Sequence, residues 1–133
     1  MRLQHVSVAA SPEGAAEARA FYGGLLGLDA IWARIQELAA RLRAALAAVD
    51  GVTLLDRGRV LGATVTFDVA GREPEEVKRF LAERRVNVSV MDRLSAQLDF
   101  GARGIESAVR SAVHYYNDDS DLERLVDGVR ALV

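Results

Sequence analysis

One run of apolar residues constrains the fold more than any other feature of this chain. Ile31, Ile35, Leu38, Leu42, Ala45 and Val49 recur at alternating spacings of four and three, and Leu46 widens the stripe. A helix of 3.6 residues per turn puts such positions on one face. Arg34, Glu37, Arg41 and Arg43 populate the remaining surface. At 1.5 Å per residue the stripe predicts an amphipathic helix of about 28 Å, with Asp29 as its N-cap and Gly51 closing it. A helix with one apolar face needs a second layer to cover it. The 133-residue chain is long enough to supply that layer, burying roughly 65–70% of its unfolded surface as one domain.

The second layer is legible as strands. Leu3 to Ala9 alternate as a first strand, and Ser11-Pro12-Glu13 opens a helix running to Phe21, Tyr22, Leu25 and Leu26. Gly23-Gly24 weaken the last turn of that helix, and Gly27 suits a left-handed end. Val52 to Leu55 is a strand and Asp56 to Arg59 a turn. Ala63, Val65, Phe67 and Val69 then face one side of a strand, with Thr64, Thr66 and Asp68 on the other. Pro74 with neighbouring glutamates starts a helix whose apolar face is Val77, Phe80 and Leu81. Val86, Val88 and Val90 make a strand, Leu98 to Phe100 an optional short one, and Val109 to Tyr116 the last. Ser120 to Glu123 forms a capping box for a final helix carrying Leu122, Leu125, Val126, Val129 and Leu132.

The resulting order is β-α-α-β-β-α-β-(β)-β-α. It predicts an α+β two-layer sandwich: a mainly antiparallel sheet of four or five strands with helices on one face, partly ferredoxin-like through a split βαβ unit. Residues 1–133 are expected to form a single domain; strand order and the placement of the first strand stay open.

Several function classes are disfavoured. The net charge of −2 creates no basic field for nucleic acid, and Arg41, Arg43, Arg84 and Arg85 are diluted by Glu37, Glu76 and Glu83. The absence of cysteine removes disulfides, thiolate nucleophiles and Cys-type metal sites. No apolar run reaches the length of a membrane span, and Met1 to His5 opens no signal peptide, so a cytoplasmic location without membrane association is expected. No phosphate loop, nucleophile elbow or dinucleotide fingerprint occurs.

Two resemblances meet at one short string. His5-Val-Ser-Val through Phe21-Tyr22-Gly-Gly-Leu-Leu-Gly-Leu28 resembles the opening strand and helix of the glyoxalase/bleomycin-resistance (vicinal oxygen chelate) family. From about Leu26 onward the chain resembles the C-terminal small domain of class V, pyridoxal-phosphate-dependent aminotransferases, including cysteine desulfurases. Ala39 to Leu46, Ala63 to Val69 and Arg110-Ser-Ala-Val-His-Tyr-Tyr-Asn117 carry that likeness. Both families share an LGLD-like string, here at residues 26–29. Together the resemblances imply a chimera, engineered or recombined, with residues 1–28 from one parent and 29–133 from the other. Its expected role is that of a structural scaffold, not an enzyme. The alternatives are a homo-oligomerising module, a homodimer being the cheapest cover for an orphaned apolar face, or a vestigial metal or carboxylate binder.

Each candidate site residue has a bland counterpart. By resemblance His5 takes a metal-ligand position, but one imidazole does not hold a divalent ion alone, so no metal site is expected. By resemblance Arg110 binds a substrate α-carboxylate, which its guanidinium fork suits; otherwise it is an exposed charge. The aminotransferase cofactor lysine belongs to a large domain, and Lys78 is the sole lysine here, on a solvated helix face. No cofactor is therefore expected. His114-Tyr115-Tyr116 alternates on a strand, with His114 and Tyr115 on opposite faces, one aromatic in the core, and Asn117 or Ser120 capping the helix. Asp118-Asp119-Ser120-Asp121 looks acidic enough for calcium but fits helix-start carboxylates better. By resemblance Met91 to Gln97 is a loop that faced an active site.

Overall fold

The computed structural model describes residues 15–17 and 20–133. The expected first strand, the Ser11-Pro12-Glu13 helix start and His5 lie outside these residues. The chain divides into two compact units, Met1–Ala33 and Arg34–Val133.

In the first unit, residues 15–17 are helical and Ala20–Leu25 form a π-helical segment. The Leu26 amide reaches the Phe21 carbonyl five residues back (3.0 Å), the wider turn that Gly23-Gly24 permit. Gly27 is left-handed (φ 66°) and accepts from Ile31 (3.1 Å). Helix α1, Leu28–Ala47, starts there. Asp29 therefore lies inside its first turn and does not cap it. Phe21, Tyr22, Leu25, Leu26, Leu28 and Trp32 are all exposed.

In the second unit, α1 buries Ile35, Leu38, Leu42 and Leu46 of the predicted stripe together with Ala39, while Ala45 is half-buried and Val49 is buried just beyond the helix. Ile31, the stripe residue that falls in the first unit, is half-buried. Gly51 (φ 78°) turns the chain into strand β1, Val52–Leu54, followed by β2, Thr64–Val69, and helix α2, Pro74–Glu83. Strand β3 is Ser89–Asp92, helix α3 is Gln97–Arg103, β4 is Ser107–Ala112 and α4 is Asp119–Arg130. The sheet is antiparallel throughout, in the order β1-β2-β4-β3. Strands β2 and β3, linked by α2, receive β4 between them, so a split βαβ unit is present. Val65, Phe67, Val69 and Val109 are almost fully buried, and α2 packs against β2, β3, β4 and α4. This is the predicted two-layer α+β fold.

Several local expectations fail for identifiable reasons, and the strand read at Val86, Val88 and Val90 begins only at Ser89. Leu98 to Phe100 belong to helix α3, which an Asp99–Arg103 pair (2.8 Å) and left-handed Gly104 stabilise. Thr66 is buried although it alternates onto the polar face, because its amide (2.8 Å) and hydroxyl (2.5 Å) both donate to Asp56 Oδ1. Phe80 is half-buried, with the Arg84 guanidinium 3.4 Å above its ring. The capping box of α4 is one step earlier than read: Asp118 accepts from the Asp121 amide (3.0 Å), and Asp121 accepts from the Asp118 amide (3.4 Å). Asp118 is extended (φ −114°), the geometry an N-cap requires.

Candidate functional site

Arg110 sits in the middle of β4, opposite Thr66 of β2 and Ser89 of β3. Its neighbours Val109 and Ser111 are buried, so alternation projects its side chain from the other sheet face. Arg110 is exposed, and among the described residues its guanidinium makes one side-chain hydrogen bond, a long one to Thr64 Oγ1 (3.5 Å). It forms no ion pair among the described residues.

Beyond Arg110 the strand ends at Ala112, earlier than predicted, and the aromatic run follows in a turn. Opposite-face alternation does not apply there. The His114 ring stacks on Tyr116 (4.6 Å, 22°) and tilts against Tyr115 (4.8 Å). Tyr115 and Tyr116 are exposed, so neither enters the core. Asn117 fixes the turn and is not the cap: its Oδ1 accepts from the His114 amide (2.7 Å), and its Nδ2 donates to Asp121 Oδ2 (3.0 Å). A continuous hydrogen-bonded path thus ties the end of β4 to the first turn of α4.

The acidic run is committed to structure. Asp118 and Asp121 form the capping box, and Asp119 pairs with Arg41 (2.7 Å). The Ser120 hydroxyl and the Asp121 amide hold the Asp118 carboxyl below the ordinary aspartate range. The Arg41 guanidinium is raised in turn by Asp119. No group of His, Asp or Glu suited to a metal occurs among the described residues. In the Met91–Gln97 stretch, Asp92 Oδ1 accepts from the Ser95 hydroxyl (2.6 Å) and amide (2.8 Å), which lower its pKa. That Asx turn leads directly into α3.

Sequence reasoning missed one network. Arg43, read as a surface charge, is largely buried with Asp56, read as a turn residue. Arg43 Nε donates to Asp56 Oδ2 (2.7 Å), and Nη2 donates to the carbonyls of Gly62 (2.9 Å) and Thr64 (2.7 Å). Arg43 therefore fixes the backbone of Thr64, whose hydroxyl touches Arg110. The available signal was position: Arg43 directly follows the buried Leu42, at the edge of the apolar stripe.

The family model for aminotransferase class-V matches residues 10–125. The chain belongs to the class V aminotransferase family. The match begins well before residue 26 and spans the shared string at 26–29, so no seam is needed there and a glyoxalase-derived segment is not shown. A chimeric, engineered, non-catalytic scaffold is accordingly incorrect: the chain is a member of a catalytic family. It is similar to the cysteine desulfurase CsdA from Escherichia coli, at 26% identity and a TM-score of 0.68, covering 77% of this chain and 25% of that one. It also resembles in fold a cysteine desulfurase from Thermococcus onnurineus NA1, at 24% identity and a TM-score of 0.74, covering 84% and 28%. A NifS-like protein from Rickettsia africae ESF-5 shares the fold at 15% identity and a TM-score of 0.69, covering 90% and 32%. The chain thus spans about a quarter to a third of the length of these structures. No helix among the described residues is long and apolar enough to cross a membrane.

Proposed function

We propose that this chain acts as the small domain of a class V aminotransferase-like enzyme, with Arg110 as the anchor for the α-carboxylate of an amino-acid substrate. The observation that carries the reading is the state of Arg110: exposed, unpaired among the described residues, and held on a rigid central strand. A guanidinium so placed offers a carboxylate two parallel charge-assisted bonds. A strand positions it more firmly than a loop would.

The chain's own residues do not fit pyridoxal phosphate, the cofactor linked to glycine in one structurally similar protein, C-DES. A Schiff base needs a poised amine. Lys78, the sole lysine, lies on the exposed side of α2 with Nζ 3.0 Å from Glu75. On this reading the cofactor amine comes from protein beyond these residues, and Arg110 binds and orients the substrate only.

The test is a hybrid in which residues 34–133 replace the matching segment of the Escherichia coli desulfurase. In a folded, cofactor-loaded hybrid, Arg110→Gln raises KM for cysteine at least about tenfold, the loss of one charged hydrogen-bonded contact, and Arg110→Lys restores part of it. An unchanged KM refutes the assignment.

A second reading concerns partners. The exposed Phe21, Tyr22, Leu25, Leu26, Leu28 and Trp32 favour self-association of the subunit. Sedimentation equilibrium checks this: a concentration-dependent mass supports it, and a strict monomer at millimolar concentration rejects it.

A further inference from the structure

Helix α2 ends in a Schellman turn, with the Val86 amide reaching the Leu81 carbonyl (3.0 Å) and the Arg85 amide reaching Ala82 (3.0 Å). The left-handed position of that turn, where glycine is cheapest, holds Arg85 (φ 60°). Beyond the turn, β3 pairs with β4 only from Ser89 opposite Arg110 onward. The Val113 amide bonds to Ala63 on the β2 side (3.1 Å). By alternation the Ala112 N–H points the other way, toward the gap beside Arg85–Asn87. That gap is a cavity of about 340 Å³, within the range of small-ligand sites.

The cavity has two chemically different sides. Leu42, Val113, Leu122 and Leu125, all buried, form an apolar wall. Arg85 and Arg124 are the two cationic residues of the lining, both exposed. The one carboxylate in the lining, Asp121, is already engaged by Asn117 Nδ2 (3.0 Å) and the Asp118 amide (3.4 Å), with Arg124 at 3.6 Å. Arg85 has no ion pair among the described residues. The lining therefore carries one cationic group in excess, beside a backbone donor and a hydrocarbon wall.

We infer that this cavity binds a small organic carboxylate. The carboxylate sits on the Arg85 guanidinium and the Ala112 N–H, and the hydrocarbon body lies against Leu42, Val113, Leu122 and Leu125. An inorganic oxyanion leaves the wall unused, and a neutral apolar molecule leaves Arg85 without its counter-charge.

Amide NMR of the full chain titrated with hexanoate tests this. Val86, Asn87, Ala112 and Val113 shift saturably with a Kd of about 1 mM, ordinary for a ligand of this size. Hexan-1-ol and inorganic phosphate bind at least about tenfold more weakly, and Arg85→Gln loses about tenfold, or about 1.4 kcal/mol. Arg85→Gly suits the left-handed backbone, preserves the fold and loses affinity equally. Arg110→Gln, on the other sheet face and outside the lining, leaves the saturation of the Val86 and Asn87 amides unchanged, so this site and the proposed substrate anchor stand or fall separately. The inference is overturned if those amides do not saturate, if hexan-1-ol or phosphate matches hexanoate, or if a folded Arg85→Gly variant binds as the parent does.

Discussion

Arg43 and Arg110 both reach Thr64, one from helix α1 and one from strand β4, and they have opposite fates. Arg43 takes the Thr64 carbonyl, the Gly62 carbonyl and Asp56, and is left only 11% exposed. Arg110 takes only the Thr64 hydroxyl, at 3.5 Å, and stays exposed. Identical side chains thus serve different ends according to how many acceptors surround them. A guanidinium with three of its five donors spent on Asp56, Gly62 and Thr64 holds structure; one with nearly all its donors to spare is available to a ligand.

This contrast orders the expected effects of substitution. Phe67→Ala, at a fully buried position in β2, costs about 3–5 kcal/mol in a urea melt. Asp56→Ala comes next: it strands the largely buried Arg43 and removes the acceptor of Thr66, for a loss of about 3 kcal/mol. Arg110→Gln leaves the same melt within about 0.5 kcal/mol; a loss as large as that of Asp56→Ala makes Arg110 a structural residue and dissolves the contrast.

Acid supplies a further test. The Asp92 and Asp118 carboxyls are held low in the folded chain, chiefly by Ser95 and Ser120. Their contribution to stability is therefore fully present above the unfolded aspartate pKa of about 3.9. It disappears as pH falls through their lower folded values. Asp118→Asn flattens that acid limb: it lowers the melt near neutral pH, where the charged carboxyl contributes, and converges with the parent in acid. The smallest effect belongs to the first unit, where paired Leu25→Ser and Leu26→Ser substitutions at exposed positions shift the melt by less than about 0.5 kcal/mol.

Periodicity made much of the fold legible. The α1 stripe, the β2 alternation and the Pro74 helix start each state one element in purely local terms, and each element forms, with departures at Asp29 and Thr66. The Leu98 to Phe100 stretch misled because three apolar or aromatic residues fit either a strand or a helix turn. The Asp99–Arg103 pair and Gly104 decide the matter, and both act over longer spacing. Arg43 was illegible because its partner, Asp56, lies thirteen residues away across a turn. His114 to Tyr116 was misread because β4 stops at Ala112, a tertiary event that ends alternation. The string at 26–29 misled differently: a glycine between two leucines encodes a helix end, which unrelated families require equally. Arg110 was named from resemblance alone, and only the structure supplies its exposure and its lack of an ion pair among the described residues.

The most direct test is KM for cysteine in the folded desulfurase hybrid, compared between Arg110→Gln and Arg43→Gln at a temperature where both remain native. The account predicts a KM raised at least about tenfold for Arg110→Gln, and for Arg43→Gln a lowered melting temperature with KM nearly unchanged. Equal KM values for Arg110→Gln and the parent hybrid would contradict it.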